Sequence, residues 1–397
     1  MAVFEWQARD RQGNPKKGEI EAENRNQVLA ILRRQGLTRI EVKKKPKEIR
    51  LFPEKITDKD FAIFFRQLAT MINAGLPLVQ CFVLAEQSSE NKTLVKLLRE
   101  IRESLEQGNS LGDTLRKYPQ YFDQLTCSLI VAGEQGGILD SILLRLTDYK
   151  EKSLALRSKI KSALVYPVSI VVIAFLVTAI LMIFVIPVFG EMFADFGADL
   201  PAPTKMTMAV SDWFVRYWYI VFGLPVLLVL ALRWLYKTPG GRYQMDRLLL
   251  NLPVLGEVLL KAAVARFCRT FGTLVAAGVP IIQAMDTVAA TAGNVLIERA
   301  VHDAQEAVSQ GKTLAAPLSE SGLFPVMVTQ MITIGEQTGN LEDMLMKVAE
   351  FYEQDVDTAV ENMTALMEPF IMVFLGVVIG GLVVSMYLPI FKMASVV

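Results

Sequence analysis

The chain has 397 residues, of which 52% are hydrophobic and only 21% are charged, so intrinsic disorder is excluded. Lysine plus arginine and aspartate plus glutamate both number 41, so there is no overall basic charge of the kind that holds a nucleic acid. Three cysteines cannot build a disulfide scaffold, and one histidine removes most zinc sites and most imidazole chemistry. The composition argues against a nucleic-acid-binding protein and against a hydrolytic enzyme.

The first fifty residues predict a small α+β domain. Apolar and polar side chains alternate at its start, and a turn at residues 10–14 separates two extended stretches, which predicts a hairpin. The predicted elements are, in order, strands at about 3–6 and 18–22, a helix at about 25–35 and a strand at about 37–42. A lysine-rich, proline-bearing linker over 43–53 follows.

Two stretches with helical periodicity, residues 51–166 and 237–368, each predict a bundle of about six helices. In the first, Thr57 and Asp60 form the signature of a capping box ahead of apolar residues at helical spacing. The same spacing recurs at two later helix starts, Ser110 with Asp113 and Asn340 with Asp343. The last helix of each bundle is expected to lead into a hydrophobic segment.

Three segments are long and predominantly apolar: residues 167–190, 213–236 and 369–391. Because a helix rises about 1.5 Å per residue, about 20 apolar residues cross the hydrocarbon core of a bilayer. A buried core helix is the alternative, but such helices are usually shorter and keep a polar stripe. We therefore predict a mainly α integral membrane protein with three transmembrane helices. Gly376 and Gly380 have the spacing that lets two membrane helices approach closely.

Basic residues near the ends of these segments predict the orientation of the chain. Between the first two segments, residues 191–212 contain a single basic residue, Lys205. Basic residues are instead concentrated before the first segment and after the second: Lys150, Lys152, Arg157, Lys159, Lys161, Lys237, Arg242 and Arg247. We expect a multi-pass protein with its N-terminus and both bundles in the cytoplasm, and with the connector 191–212 and the tail 392–397 in the periplasm.

Comparison of the chain with itself reveals a duplication. Residues in the first bundle recur about 203 positions later: Phe64, Arg66, Gly75 and Pro77 as Phe267, Arg269, Gly278 and Pro280. At an offset of 202, Gly133, Glu134, Gly137 and Pro167 recur as Gly335, Glu336, Gly339 and Pro369. The repeated unit is thus a bundle together with the span that follows it. The middle span has no counterpart, and it returns the chain so that both bundles lie on one side of the membrane.

The repeated glycines, prolines and glutamates predict structural turns that join helices. We expect the carboxylates of Glu134 and Glu336 to bond to nearby backbone amides; catalysis or a cation site at these glutamates is the alternative. His302 stands alone, and Gly311-Lys312-Thr313 lacks the earlier glycine of a phosphate-binding loop. We predict no catalytic, metal-binding or cofactor-binding residues.

Two motifs are repeated in the bundles: Asn73-Ala74-Gly75-Leu76-Pro77-Leu78 with its copy at 276–281, and Gly133-Glu134-Gln135-Gly136-Gly137-Ile138-Leu139 with its copy at 335–341. These motifs resemble those of a known family, the inner-membrane platform proteins of type IV pilus assembly and type II secretion, often called the PilC or general secretion protein F family. The N-terminal residues 4–22 are similar to the start of this family's proteins, in a version closer to that of the pilus branch.

This resemblance implies a non-enzymatic protein of the bacterial inner membrane. A cytoplasmic hexameric ATPase would dock beneath it, and pilin subunits would leave the membrane through its action into a growing fibre. Further partners implied are other inner-membrane assembly proteins, membrane lipid and a second copy of the chain, in a dimer or higher oligomer.

Two alternatives belong to other classes. An oligomeric permease or channel should carry a polar stripe along a span, and the first and third spans offer only Ser169, Thr178 and Ser385. A signalling receptor should have a sizeable external region, whereas only about 25 residues connect the first two spans. The assembly platform is therefore the function that the sequence favours.

Overall fold

The computed structural model describes residues 2–9, 15–22, 38–44, 54–195 and 201–394. The chain divides into two compact units, Met1–Lys55 and Ile56–Val397. In the first unit, strands β1 (Ala2–Arg9), β2 (Pro15–Ala22) and β3 (Thr38–Lys44) form an antiparallel sheet in the order β2-β1-β3. The predicted turn and helix of this domain lie outside the described residues, so the α+β domain as a whole stays a prediction.

The second unit begins with the six helices of repeat 1. They are α1 (Asp58–Asn73), α2 (Leu78–Ser88), α3 (Lys92–Glu106), α4 (Leu111–Arg116), α5 (Gln124–Gly136) and α6 (Leu139–Ile180). As predicted, Thr57 accepts a hydrogen bond from the Asp60 backbone, and the Asp60 carboxylate accepts one from the Thr57 backbone. This capping box satisfies two of the amides that the start of α1 would otherwise leave unpaired.

Five further elements connect repeat 1 to repeat 2. They are a π-helical turn (Leu181–Val185), α7 (Ile186–Asp195), α8 (Ala202–Arg216), α9 (Trp218–Tyr236) and α10 (Pro239–Asn251). Helix α8 thus occupies much of the expected connector. It packs on the spans, because the Thr204 hydroxyl donates to the Ser385 carbonyl (2.7 Å) and Ser211 donates to the Met182 carbonyl.

Repeat 2 has the same six helices in the same order. They are α11 (Leu255–Ala276), α12 (Ile281–Thr291), α13 (Val295–Ser309), α14 (Ala315–Glu320), α15 (Val326–Thr338) and α16 (Leu341–Ala394). The predicted duplication is confirmed, since the starts of the second, third, fifth and sixth helices recur at the offsets found in the sequence. At the start of α16, however, the Asn340 side-chain amide donates to the Asp343 carboxylate (2.9 Å) instead of accepting from its backbone.

The two repeats share one hydrophobic core. It contains buried side chains of repeat 1, such as Phe65 and Leu146, together with buried side chains of repeat 2, such as Phe267 and Val288. In each repeat the first helix packs along the last one, α1 on α6 and α11 on α16. The repeats therefore form one compact unit and not two bundles joined only by the membrane.

Three helical segments in the described part of the chain are long and apolar enough to cross a membrane: Leu139–Phe189, Trp218–Tyr236 and Leu341–Leu388. Only 17%, 6% and 11% of their most apolar windows are buried inside the chain, so lipid or another protein must cover the rest. Helices α10 and α11, bent by 111°, pass the same test as a pair. Helix α11, however, lies in the shared core, with Phe267, Cys268 and Phe271 fully buried.

Candidate functional site

The repeated glutamates each hold the start of a short helix. Glu134 accepts hydrogen bonds from the backbone amides of Leu111 (2.6 Å) and Gly112 (2.8 Å) at the start of α4. In repeat 2, Glu336 accepts from Leu314 (2.7 Å) and, more weakly, from Ala315 (3.4 Å). A carboxylate is favoured there because amides at a helix start are unpaired and carry partial positive charge.

The glycines beside these glutamates allow the helices to approach closely. A Cβ on Gly133 would lie 3.0 Å from Ile142 Cγ1, and one on Gly335 would lie 2.9 Å from Leu341 Cα. Gly137 and Gly339 end α5 and α15 in the left-handed conformation, with φ of 66° and 71°. The motif thus joins the fifth helix of each repeat tightly to the sixth.

The glycine–proline pairs form the other repeated turn. Gly75 and Gly278 follow the first helix of each repeat with φ of 84° and 77°. Pro77 and Pro280 are the N-cap residues of α2 and α12. These residues also lie at helix junctions, and we propose that all the repeated turn residues have a structural role.

One repeated interaction, an arginine–glutamate ion pair, is not among the features predicted from the sequence. Arg66 bonds through Nε and Nη2 to both carboxylate oxygens of Glu151. Arg269 does the same to Glu353, at 2.8 and 2.7 Å. The two arginines are equivalent in the duplication, and Glu151 and Glu353 are related by the offset of 202. The sequence signal for this pair is therefore the continuation of the duplication into α6 and α16.

The two long helices, α6 and α16, run parallel. Three ion pairs join them in the same order along both: Arg145–Glu342 (3.0 Å), Lys152–Glu350 (4.0 Å) and Lys159–Asp357 (2.6 Å). Successive pairs are seven or eight residues apart, which is the repeat at which two parallel helices present the same face to each other. Both long helices therefore enter their spans from the same end.

A cleft of about 630 Å³ lies beside the middle of α6 and is lined by residues of α1, α6 and α11. Several of its basic side chains are already paired with carboxylates: Arg157 with Asp58 (2.6 Å), Lys150 with Asp123 (2.6 Å) and Arg269 with Glu353 (2.7 Å). Much of the positive charge of the cleft is thus neutralised within the chain.

The remaining chemically distinctive residues are the single histidine and the three cysteines. Among the described residues, no three or more His, Cys, Asp or Glu side chains are placed to hold a metal ion. His302 is exposed and lies 3.2 Å from Gln305. The three cysteines are free and buried, and burial raises the pKa of the Cys268 thiol above its usual range.

Gly376 and Gly380 face outward from α16. A Cβ built at either position would meet no other atom of the described chain within 4 Å. Contact between the first and third spans lies further along, where Met182 and Ile186 pack near Leu382. A role for the two glycines in helix packing would therefore need a partner outside this chain, and it stays a proposal.

A duplicated helical bundle, each copy of which continues into a membrane helix, defines a class of membrane-anchored scaffold. The chain belongs to the type II secretion system protein F family: residues 64–187 and 267–389 match that protein, and residues 1–43 match its N-terminal domain. The two central matches each cover most of one repeat.

The relatives are similar over essentially their whole length. The type IV pilus assembly protein PilC of Myxococcus xanthus is 45% identical, over 100% of this chain and 96% of its own. PilC of Thermus thermophilus is 42% identical, over 99% and 98%. The type II secretion system protein F of Vibrio cholerae is 34% identical, over 99% and 98%. The greater identity to pilus proteins favours the pilus branch of the family.

Proposed function

We propose that this protein is the inner-membrane platform of a type IV pilus machine. In this role it couples a cytoplasmic hexameric assembly ATPase to the insertion of pilin subunits into a growing fibre, and it catalyses no reaction itself. Relatives of both branches, named as pilus assembly and secretion proteins, support this assignment. The higher identity to the pilus proteins supports the choice of branch.

The observation that carries the proposal is the continuity of the two long helices. Helix α16 runs without a break from Leu341 in the bundle to Ala394 beyond the span, which is about 80 Å at about 1.5 Å per residue. Helix α6 runs from Leu139 into the first span in the same way. A displacement of the bundle would therefore be transmitted directly to the spans.

The two ends of the molecule suit different partners. The bundles, which we place in the cytoplasm, would meet the ATPase. The spans expose most of their apolar surface and would meet lipid and the apolar helices of pilins. Such contact within a bilayer depends on close packing, because lipid chains are as apolar as the helices.

The proposal is tested by deleting the gene in the source bacterium and counting surface fibres. We expect fibres to be absent and to return with the wild-type gene. In a second strain, two glycines are inserted between Ser162 and Ala163, where α6 leaves the bundle. This variant should reach the membrane in normal amount but assemble few fibres, because glycines weaken the helix.

The matched control carries the same insertion between Ser89 and Glu90, in the exposed loop between α2 and α3, and should assemble fibres normally. Normal fibres in the deletion strain would refute the platform function; loss of a transported solute in that strain would instead favour a permease. Normal fibres with the Ser162 insertion would refute coupling through the long helix, but they would not refute the platform function.

A further inference from the structure

The contact between the two repeats joins two different surfaces. We call the surface of the fifth and sixth helices of a repeat its front face. Its back face is the surface of the first and second helices, together with the side of the sixth helix that carries Glu342 in repeat 2 and Asp140 in repeat 1. The front face of repeat 1 meets the back face of repeat 2 through Gln124 and Asp286 (3.4 Å), Ser128 and Thr287 (3.4 Å), and Tyr149 and Thr270 (3.4 Å). The contact is therefore heterologous, and a contact of this kind can be repeated from one unit to the next.

Within the described residues of the second unit, each repeat keeps one of these faces uncovered. On the front face of repeat 2, the residues at the positions of Gln124 and Tyr149 are Val326 and Phe351, whose exposures are 70% and 50%. Ile334, on the same face, is 45% exposed. Large apolar side chains grouped on one exposed surface indicate a protein contact.

The uncovered back face of repeat 1 is apolar at two of the three matching positions. Where repeat 2 has Asp286 and Thr287, repeat 1 has Val83 and Leu84, and Leu84 is 39% exposed. Where repeat 2 has Arg266, repeat 1 has Ile63, which is 48% exposed. The polar pair Gln124–Asp286 inside the chain thus corresponds to the apolar pair Val326–Val83 between the uncovered faces.

The uncovered back face also has a shape that can receive a side chain. An open groove of about 540 Å³ lies between α1 and α2, lined by residues that include Gln67, Leu84 and Gln87. Gln67 is the counterpart of Thr270, which contacts Tyr149 inside the chain. By that correspondence, Phe351 of the front face lies opposite this groove.

One of the three internal ion pairs between α6 and α16 keeps opposite charges at the matching positions of the uncovered faces. The internal pair Arg145–Glu342 (3.0 Å) corresponds, at the offset of 202, to Lys347 on the uncovered front face and Asp140 on the uncovered back face. Both are exposed, and neither makes an ion pair with another residue of the described chain. Opposite charges at these positions favour the contact, and they also fix its direction.

We propose that the uncovered front face of repeat 2 binds the uncovered back face of repeat 1 in a second copy of this chain. The contact continues, between molecules, the one that the two repeats make inside each molecule. Because the long helices of the two repeats are parallel across the internal contact, copies joined in the same way all keep their spans in one bilayer. The platform is then built from chains joined head to tail.

The test uses disulfide formation between Leu84→Cys and Gln330→Cys, the counterparts of Thr287 and Ser128. Two chains with different tags, one carrying each substitution, are produced together in membranes and oxidised. We expect a mixed disulfide dimer, no dimer when either substitution is present alone, and a ladder of larger species when one chain carries both. The wild-type chain is the background control, because its three cysteines are buried.

A chain carrying Ser128→Cys and Thr287→Cys is the positive control, since its internal disulfide reports a folded protein and a competent oxidant. The proposal is overturned if that control forms while the mixed dimer does not. It is also overturned if Leu84→Cys alone links two copies, which would show a symmetric contact, or if either cysteine links to a different protein.

Charge reversal provides a second measurement. Asp140→Lys or Lys347→Glu in every copy should lower the yield of the mixed dimer about two- to fivefold, as expected for an exposed ion pair. Combining the two reversals should restore the yield. If the double reversal were as poor as the single ones, the register of the contact would be wrong.

Discussion

Arg66 and Arg269 each make a bidentate ion pair with a glutamate, yet the surroundings of the two arginines differ. The Arg269 side chain is only 4% exposed, whereas that of Arg66 is 63% exposed. A guanidinium that has lost its water depends on its partner much more than one that remains hydrated. The duplicated contact is therefore a natural comparison of a buried and an exposed ion pair.

We expect Arg269→Met to lower the free energy of unfolding by about 3 kcal/mol, because it leaves the partly buried Glu353 carboxylate without its partner. Arg66→Met, the matched control, should leave stability nearly unchanged, because water can solvate Glu151. Denaturant unfolding of the purified protein in detergent measures both. Equal losses in the two variants would contradict the role given to burial.

Asp123 begins helix α5 by accepting from the Thr126 amide (2.8 Å), and it pairs with Lys150 (2.6 Å). Burial by itself would raise the pKa of this carboxyl. The Lys150 ammonium and the hydrogen bonds from Thr126 outweigh that effect, so the pKa lies below its usual value. The carboxylate contributes stability when it is ionised.

Because the folded pKa of Asp123 is the lower one, this contribution is complete above the unfolded pKa of about 4 and is lost as the pH falls through the folded pKa. We expect Asp123→Asn to lose less stability than the wild type between about pH 6 and about pH 3. Lys150→Met should flatten the profile in the same direction. Thermal unfolding at several pH values provides the measurement, and a variant profile as steep as the wild type would exclude this role.

At the scale of the elements, the repeated turns decide where one helix ends and the next begins. Gly278 lies between α11 and α12 with a φ of 77°, and there is open space where a side chain would be. The difficulty at this position is therefore backbone strain and not collision. Gly240, near the start of α10, has similar open space but no positive φ.

We expect Gly278→Ala to destabilise the protein by about 1 to 2 kcal/mol, because the left-handed conformation is unfavourable for a residue with a Cβ. Gly240→Ala should be neutral or slightly stabilising, since alanine is the better helix former. Unfolding midpoints of the two variants provide the comparison. Similar losses at both positions would show that the turn does not depend on its conformation.

At the scale of the whole molecule, the shared core and the parallel long helices place both bundles on the same side of the membrane. The basic residues near the spans predict that this side is the cytoplasm. Gln107 and Gln310 are exposed, lie at matching ends of α3 and α13, and suit a test of this prediction. Ala202, exposed at the start of α8, reports on the opposite side.

We expect Gln107→Cys and Gln310→Cys to resist a membrane-impermeant maleimide in spheroplasts and to react after lysis. Ala202→Cys should react before lysis. The wild-type chain should stay unlabelled throughout unless it unfolds, because its cysteines are buried. Labelling of only one of the two glutamine positions before lysis would place the bundles on opposite sides and would rule out the proposed coupling.

By itself, the sequence determined the three spans, the duplication, the helical bundles and their repeated turns. Those features depend on local periodicity, on uninterrupted apolar runs and on residues such as Gly278 whose conformational needs are local. The sequence comparison also related Arg66 to Arg269, although it did not identify the glutamates that bind them.

Only the tertiary structure decided how the two repeats meet. Glu134 and Glu336 bind the starts of helices more than twenty residues away, and α8 packs on the spans. Both features depend on contacts between distant parts of the chain. The same is true of the shared core and of the front face of repeat 1 lying on the back face of repeat 2. Which surfaces come into contact depends on their shape and on the apolar area that they bury. A local sequence pattern describes several surfaces equally well, so periodicity cannot predict which of them meet.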